Sequence, residues 1–125
     1  MSLSYEELST ERKQLQEKGW LPDWYTTFSY QMFKSKYAYG GEEAVKGRFR
    51  TIARTLSKHA PGEAKDWEEK FFNLLWKGWL SPASPVLSNT GTDRGLNVSC
   101  SGGVVGDSID GFYSALREQA LLSKH

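Results

Sequence analysis

The segment from Ser81 to Val105, SPASPVLSNTGTDRGLNVSCSGGVV, separates the long helical patterns of this chain from the last one. It contains the single cysteine of the chain, Cys100, together with the closely spaced Pro82 and Pro85. Because proline is poorly tolerated inside a helix, the two prolines predict that no regular helix forms there. From Leu96 to Ser101 apolar and polar residues alternate, and this period of two predicts a β-strand that extends from Leu96 to Val105.

The single cysteine has two interpretations when only the composition is considered. Cys100 could be a small buried hydrophobic residue, or it could be a reactive thiol. On the predicted strand it shares a face with Leu96 and Val98, whereas Ser99 lies on the opposite face. A thiol at this position can perform redox chemistry only with a partner thiol from another chain or another segment.

Four helical patterns precede this segment. The first begins with a possible capping box, in which Ser4 is the N-cap and Glu7 lies three residues further on. Two tryptophans, Trp20 and Trp24, are predicted to pin the connector that follows this helix. The four predicted helices run from Ser4 to about Lys18, from Thr26 to Tyr39, from Glu42 to Lys58 and from Glu63 to Trp79.

One further helix is predicted after the segment, from Asp107 to Lys124. Either Asp107 or Ser108 can serve as its N-cap. Its apolar face is long enough to need a partner surface, and it consists of Ile109, Phe112, Tyr113, Leu116 and Ala120.

The composition is that of an ordinary globular domain, with 125 residues, 25% charged residues and 38% hydrophobic residues. A net charge of +1 gives no strong electrostatic case for binding nucleic acid or a membrane. No apolar run approaches the roughly 20 residues that a membrane-spanning helix needs. Because a single cysteine cannot form an internal disulfide, we expect a reducing compartment.

Standard catalytic and metal-binding patterns are absent from the sequence. The two histidines are far apart and the single cysteine has no second thiol nearby, so no metal ligand set is expected. The acidic pair Glu68-Glu69 is interpreted as part of a solvated helix face. The third predicted helix has a basic side that consists of Arg48, Arg50, Arg54 and Lys58. This side is interpreted either as solvated or as the phosphate-binding surface of a nucleic-acid-binding helical domain.

The order of several short motifs resembles that of the large, catalytic subunit of ribonucleotide reductase. Each motif is weak alone, and the resemblance depends on their order and spacing. The motifs are Ser81-Pro82-Ala83-Ser84-Pro85, Asn89-Thr90-Gly91, Arg94-Gly95, Val98-Ser99-Cys100, Asp107-Ser108-Ile109 and Leu122-Ser123-Lys124. Upstream, Lys46-Gly47-Arg48-Phe49 and the run from Trp67 to Phe72 resemble the helical N-terminal domain of that family.

The resemblance implies a mainly α fold with two parts. Residues 1–80 would form the helical N-terminal domain of the reductase. Residues 81–125 would form the first strand and helix of its ten-stranded α/β barrel, which these residues leave incomplete.

The resemblance also implies a reaction, the radical-based reduction of the ribose 2′-hydroxyl of a ribonucleotide to yield deoxyribonucleotides for DNA synthesis. Cys100 matches one cysteine of a redox pair that becomes a disulfide during turnover. Ser99 matches a residue that contacts the substrate. Ser84 matches a threonine of the substrate phosphate or ribose site, and serine keeps its hydroxyl.

Allosteric regulation is implied by the start of the last helix. Asp107 matches a residue that binds the deoxynucleotide effector, and Ser108 and Ile109 fall in the same turn. The helix from Asp107 to Lys124 would join the bundle through which two large subunits dimerise.

The rest of the barrel, including the radical cysteine and the second redox cysteine, is missing from these 125 residues. We therefore expect a split or truncated subunit that is inactive alone. The expected partners are the remaining C-terminal part of the large subunit, a second large subunit, a radical-generating small subunit, a ribonucleotide substrate and deoxynucleotide or ATP effectors, but neither membrane nor nucleic acid. No cofactor is expected on this fragment, and either a small-subunit metal site or adenosylcobalamin could generate the radical.

The expected location is the cytoplasm, or the host cytoplasm if the protein is phage-encoded. The alternative to a reductase fragment is a non-catalytic helical interaction module that retains the fold and has lost the reaction.

Overall fold

The structure, a computed structural model, describes residues 4–124, and it is helical without any strand in that range. Helix α3 is central, since it packs against both α4 and α5, and α1 packs against α2. Among the helices of residues 4–124, none combines the length and the apolar character that crossing a membrane requires. The helices are α1 (Tyr5–Glu17), α2 (Thr27–Lys36), α3 (Ala44–Ser57), α4 (Ala64–Trp76), α5 (Ser84–Asn89) and α6 (Ile109–Lys124).

The start of α1 confirms the predicted capping box. The Ser4 side chain accepts a hydrogen bond from the Glu7 amide at 3.2 Å, and the Ser4 amide donates to the Glu7 carboxylate at 2.7 Å. The two reciprocal bonds satisfy amide groups that the first helical turn would otherwise leave unpaired.

The hydrophobic core lies where the apolar faces of α1 to α4 meet. Helix α3 contributes most to it, because Val45, Phe49, Ile52 and Ala53 are buried together, whereas Leu56 of the same helix is 40% exposed. The buried hydrophobic residues are Leu8, Leu21, Tyr25, Tyr30, Phe33, Val45, Phe49, Ile52, Ala53, Phe72 and Leu75. Helix α4 is buried along one stripe only, at Phe72 and Leu75, and Trp79 beyond its end is 73% exposed.

Tryptophan Trp24 pins the connector between α1 and α2, as predicted. Its indole nitrogen donates a hydrogen bond to the main-chain oxygen of Trp76 at 2.8 Å, which ties the connector to the end of α4. The same ring lies against Gly78, where the chain leaves α4 with a positive φ of 71°. Glycine adopts this conformation without steric cost, so α4 ends three residues earlier than the sequence pattern predicted.

The prediction that no helix forms around Pro82 and Pro85 was wrong for the second proline. Helix α5 runs from Ser84 to Asn89, with Pro85 in its first turn. Proline is tolerated there because the amide hydrogen that it lacks has no partner within the helix at this position.

The predicted strand from Leu96 to Val105 is also absent, because no other segment within residues 4–124 pairs with it. A strand is stable only with a neighbour that satisfies its amide and carbonyl groups. The segment is instead irregular and exposed. It leads into α6, whose first turn is capped by Ser108, since the side chain of Ser108 accepts a hydrogen bond from the Gly111 amide at 3.0 Å.

Helix α6 has no buried residue, and its predicted apolar face lies open. Ile109 is 78% exposed, and Phe112, Tyr113 and Leu116 are each at least half exposed. The division of the chain at residues 80 and 81 stays a prediction.

Candidate functional site

A pocket of about 400 Å³ brings together three residues that the sequence resemblance selects, Ser84, Ser99 and Cys100. One wall is α5, and the opposite wall is the irregular segment that replaces the predicted strand. The end of α6 closes a third side. The lining residues are Ser84, Pro85, Ser88, Asn89, Leu96, Val98, Ser99, Cys100, Ser101, Gln119, Leu122 and Ser123.

The thiol of Cys100 is free and exposed at this pocket, so it is not a buried hydrophobic residue. Its sulfur lies 3.9 Å from the Ser99 hydroxyl oxygen, within the reach of a weak hydrogen bond to sulfur. A regular strand would place Cys100 and Ser99 on opposite faces. The irregular backbone instead lets both side chains line the same pocket, which corrects the predicted alternation.

The hydroxyl of Ser84 is held by a residue that the sequence did not single out for the site. Tyr37, the C-cap of α2, places its phenolic oxygen 2.9 Å from the Ser84 hydroxyl oxygen. Either hydroxyl can donate in this pair, and the bond fixes the direction of the Ser84 side chain. The sequence signal was an aromatic residue with a polar tip at a helix end, which also fits simple packing.

Arg48 of α3 is buried, with no exposed side-chain surface. Its Nε donates to the main-chain oxygen of Leu87 at 2.8 Å, its Nη2 donates to the main-chain oxygen of Thr90, and its Nη1 pairs with the Glu42 carboxylate at 3.0 Å. The last carbonyl groups of a helix lack intrahelical partners, and a cation at that end is favourable. Arg48 therefore satisfies and holds the end of α5.

The interpretation of α3 as a solvated basic face is therefore wrong for Arg48. It also fails for Arg50 and Glu68, whose side chains are mostly covered, whereas Glu69 is exposed as predicted. Arg50 contacts the Glu69 carboxylate at 2.5 Å and lies 3.7 Å from the centre of the Phe72 ring, and Arg54 lies 3.5 Å from Glu68. These contacts join α3 to α4 and engage Arg50 and Arg54, two of the four cations on which the nucleic-acid-binding interpretation depended.

The residues after α5 connect it to the opposite wall of the pocket. Thr90 is almost fully buried, and its hydroxyl donates to the Asn97 side-chain oxygen at 3.0 Å. The Asn89 side-chain amide donates to the main-chain oxygen of Leu96 at 2.6 Å. The Asn89-Thr90-Gly91 motif therefore bonds directly to the segment that carries Ser99 and Cys100.

The Arg94-Gly95 motif anchors the same loop to the end of α2. The Arg94 guanidinium donates to the main-chain oxygen of Ala38 at 2.9 Å and lies 5.0 Å from the centre of the Tyr39 ring. The Tyr39 hydroxyl donates to the Asp93 carboxylate at 2.8 Å, and this hydrogen bond raises the pKa of Tyr39. In this fold the Arg94-Gly95 motif therefore fixes the loop after α5 against the residues that follow α2.

The three residues predicted to bind an effector lie away from the pocket. Asp107, Ser108 and Ile109 form the exposed start of α6 and are not among the lining residues. Ser108 uses its side chain as the helix cap. Within the described part of the chain, no three His, Cys, Asp or Glu side chains gather where they could bind a metal ion.

A family model described as the ribonucleotide reductase all-alpha domain matches residues 23–95, which is more than half of the chain. The matched range covers α2 to α5 and ends before Ser99 and Cys100. No solved structure gives a significant match to the chain.

Three curated relatives illustrate the similarity. The vitamin B12-dependent ribonucleoside-diphosphate reductase of Mycobacterium tuberculosis is 33% identical over 75 residues, which are 60% of this chain and 11% of that protein. The ribonucleoside-diphosphate reductase large subunit of vaccinia virus is 44% identical over 54 residues, 42% of this chain and 7% of that protein. The ribonucleoside-diphosphate reductase subunit alpha of Synechocystis is 25% identical over 117 residues, 90% of this chain and 15% of that protein. The chain thus spans only a small part of the length of the relatives it matches.

Proposed function

The chain belongs to the ribonucleotide reductase family through its all-alpha domain, and we propose that it supplies one redox thiol and two substrate contacts to a ribonucleoside-diphosphate reductase. In this proposal Cys100 is the redox thiol, and Ser84 and Ser99 contact the substrate. The remaining catalytic groups come from a further segment, either of the same polypeptide or of another chain.

The observation that carries the proposal is the pocket itself. The three residues are separated by up to 16 positions, yet they line one concave surface of about 400 Å³. Ligand sites in proteins are commonly concavities of this size, with a few polar groups that fix the orientation of the ligand. A thiol beside several hydroxyl groups suits a sugar, because hydroxyl groups can both donate to and accept from ribose oxygens.

The chemistry requires a second thiol, because Cys100 is the only cysteine of this chain. When the two thiols form a disulfide, they release two electrons and two protons. The C2′–O bond of the ribose breaks, a C2′–H bond forms, and the hydroxyl leaves as water. The exposed position of Cys100 supports this role, since a partner sulfur must approach it directly.

The start of α6 is the proposed effector contact, with Asp107, Ser108 and Ile109 exposed there. The open apolar face of α6 supports the proposal that the helix packs against a second large subunit or against the rest of the barrel, because exposed apolar patches mark interaction sites. The radical that starts the reaction would be generated outside these residues, by a small-subunit metal site or by adenosylcobalamin.

The test is the replacement Cys100→Ser in the assembled enzyme, purified with whichever segment or chain completes it. Serine keeps the size of the side chain and removes the thiol, so multiple turnover should cease while assembly persists. Ser114→Ala, at an exposed position of α6, is the control, and it should leave the turnover rate unchanged. If Cys100→Ser leaves the rate of deoxynucleotide formation unchanged, the chain is a non-catalytic interaction module instead.

A further inference from the structure

We infer that Arg48 is a positioning residue, which holds the two walls of the Ser84–Cys100 pocket at their separation through the end of α5 and Thr90. The consequence for turnover rests on the proposed function, whereas the consequence for the geometry of the pocket does not.

The burial of Arg48 is the first step of the argument. Its side chain has no exposed surface, and removing a charge from water is costly unless the charge is paired and hydrogen-bonded. The three guanidinium nitrogens each have a separate acceptor: Leu87 O, Thr90 O and the Glu42 carboxylate. The planar, forked shape of the guanidinium group suits this arrangement, which the single nitrogen of a lysine would not reproduce.

The direction in which these bonds point is the second step. Two of the three acceptors are main-chain oxygens at the end of α5, the helix that carries Ser84, Ser88 and Asn89 on the pocket wall. An apolar side chain at position 48 could fill the core as well as arginine does, but it could not fix the position of these carbonyl groups. The contacts of Arg48 therefore determine where α5 ends relative to α3.

Thr90 is the link between Arg48 and the opposite wall. Its carbonyl oxygen accepts from Arg48, while its hydroxyl donates to Asn97 at 3.0 Å. Asn97 lies two residues before Ser99 and three before Cys100. A chain of two side-chain hydrogen bonds thus runs from the buried guanidinium of α3 to the segment that carries the thiol.

The decisive variant is Thr90→Val, which removes the hydroxyl, keeps the shape of the side chain and leaves the Arg48 charge fully paired. Because Cys100 is the only cysteine among these 125 residues, a nitroxide label attaches to it specifically. We expect the electron paramagnetic resonance spectrum to show a more mobile label in Thr90→Val than in the wild-type chain, at a temperature well below unfolding. A role in stability alone would lower the unfolding temperature without changing this spectrum.

Thr10→Val is the matched control, because the Thr10 hydroxyl is exposed and bonds only to its own helix at Glu6. The control should leave the spectrum of the label unchanged. In the assembled enzyme, Thr90→Val should raise KM for the nucleotide about fivefold, the ratio expected for one neutral hydrogen bond, with a smaller change in kcat.

A second variant, Arg48→Lys, keeps the charge but cannot reach all three acceptors. It should increase label mobility and raise KM by about tenfold, since hydrogen bonds from charged groups are stronger than neutral ones. Arg54→Met, an exposed position on the same helix, should change neither quantity.

Identical label spectra for Thr90→Val and the wild-type chain would overturn the inference. This outcome is independent of the proposed function, which fails instead if Cys100→Ser leaves turnover intact. A more mobile label in both Thr90→Val and Arg48→Lys, together with an active Cys100→Ser enzyme, would support the positioning role of Arg48 and reject the redox role of Cys100.

Discussion

The hydroxyl oxygen of Ser84 lies 2.9 Å from the phenolic oxygen of Tyr37, a residue 47 positions earlier in the chain. Tyr37 ends α2 and Ser84 begins α5, so this bond joins two helix termini at the rim of the pocket. It gives the Ser84 hydroxyl a fixed direction before any ligand arrives. Groups that are already oriented lose less conformational entropy when they bind a ligand.

Replacing Tyr37 with phenylalanine tests the value of this orientation. Tyr37→Phe removes one hydroxyl from an exposed hydrogen bond, so we expect a small loss of stability, about 0.5 kcal/mol. In the assembled enzyme KM for the nucleotide should rise a few-fold, because Ser84 must then be ordered on binding. Steady-state kinetics and thermal unfolding measure the two effects, and Tyr5→Phe, an exposed tyrosine of α1, is the control. An unchanged KM would contradict the proposal that the Ser84 hydroxyl contacts the substrate.

Gly91 follows Thr90 and lies directly against α3. Its φ is +73°, and an added Cβ would lie 2.5 Å from the Thr55 hydroxyl oxygen and 2.8 Å from the Thr51 methyl carbon. Gly91→Ala therefore combines the cost of a left-handed residue with that of overpacking, and we expect a loss of about 3 kcal/mol in the free energy of unfolding.

Gly62→Ala is the matched control for this prediction. Gly62 has a φ of +85° but no atom within 4 Å of the added carbon. Its replacement should cost about 1 kcal/mol, the backbone contribution alone. Equal losses for the two variants in urea unfolding would contradict the close packing of the loop on α3.

The contact between α1 and α2 predicts a dependence of stability on pH. Burial raises the pKa of Glu11, but hydrogen bonds from Lys34 and Tyr30, both at 2.8 Å, outweigh this effect and hold the pKa below its ordinary value of 4.5. A lowered pKa in the folded state means that the stabilising contribution is complete above pH 4.5 and is lost as the pH falls through the folded value.

The measurement compares the wild-type chain with Glu11→Gln, which keeps an acceptor for Tyr30 but carries no charge. The wild-type chain should have the larger free energy of unfolding at pH 7, and the difference should shrink as the pH falls below 4.5. If the difference is the same at pH 7 and pH 3, the Lys34–Glu11 pair contributes nothing through its charge.

The helices were predictable because their apolar residues recur with the helical period and because local signals mark their ends. The capping box of Ser4 and Glu7 depends only on residues close in sequence, so the sequence contains all that is needed to predict it. Helix α5 departs from the prediction because proline disrupts the interior of a helix, whereas Pro85 lies in the first turn. The alternation after Leu96 predicts a strand, but a strand forms only beside a second segment that pairs with it. No segment within residues 4–124 provides that pairing.

The resemblance selected Ser84, Ser99 and Cys100 as separate site residues, but it indicated neither their shared pocket nor the residues that support them. Arg48 can be buried because it bonds to the main-chain oxygens of Leu87 and Thr90, about 40 positions later in the chain. No residue near Arg48 in the sequence predicts these contacts. Tyr37 reaches Ser84 only because α2 and α5 end at the same place. Contacts of this kind between distant residues depend on how the helices pack together. The sequence pattern of a single helix does not predict that packing.

The most direct test of the central proposal is to follow the Cys100 sulfur through one turnover. The reduced, assembled enzyme is mixed with a ribonucleoside diphosphate without external reductant, free thiols are alkylated, and the peptides are analysed by mass spectrometry. A parallel sample without nucleotide gives the background oxidation. We predict that Cys100 appears in a disulfide with a thiol from the completing segment, in an amount equal to the deoxynucleotide formed. Formation of deoxynucleotide while Cys100 remains fully alkylated would contradict the proposal.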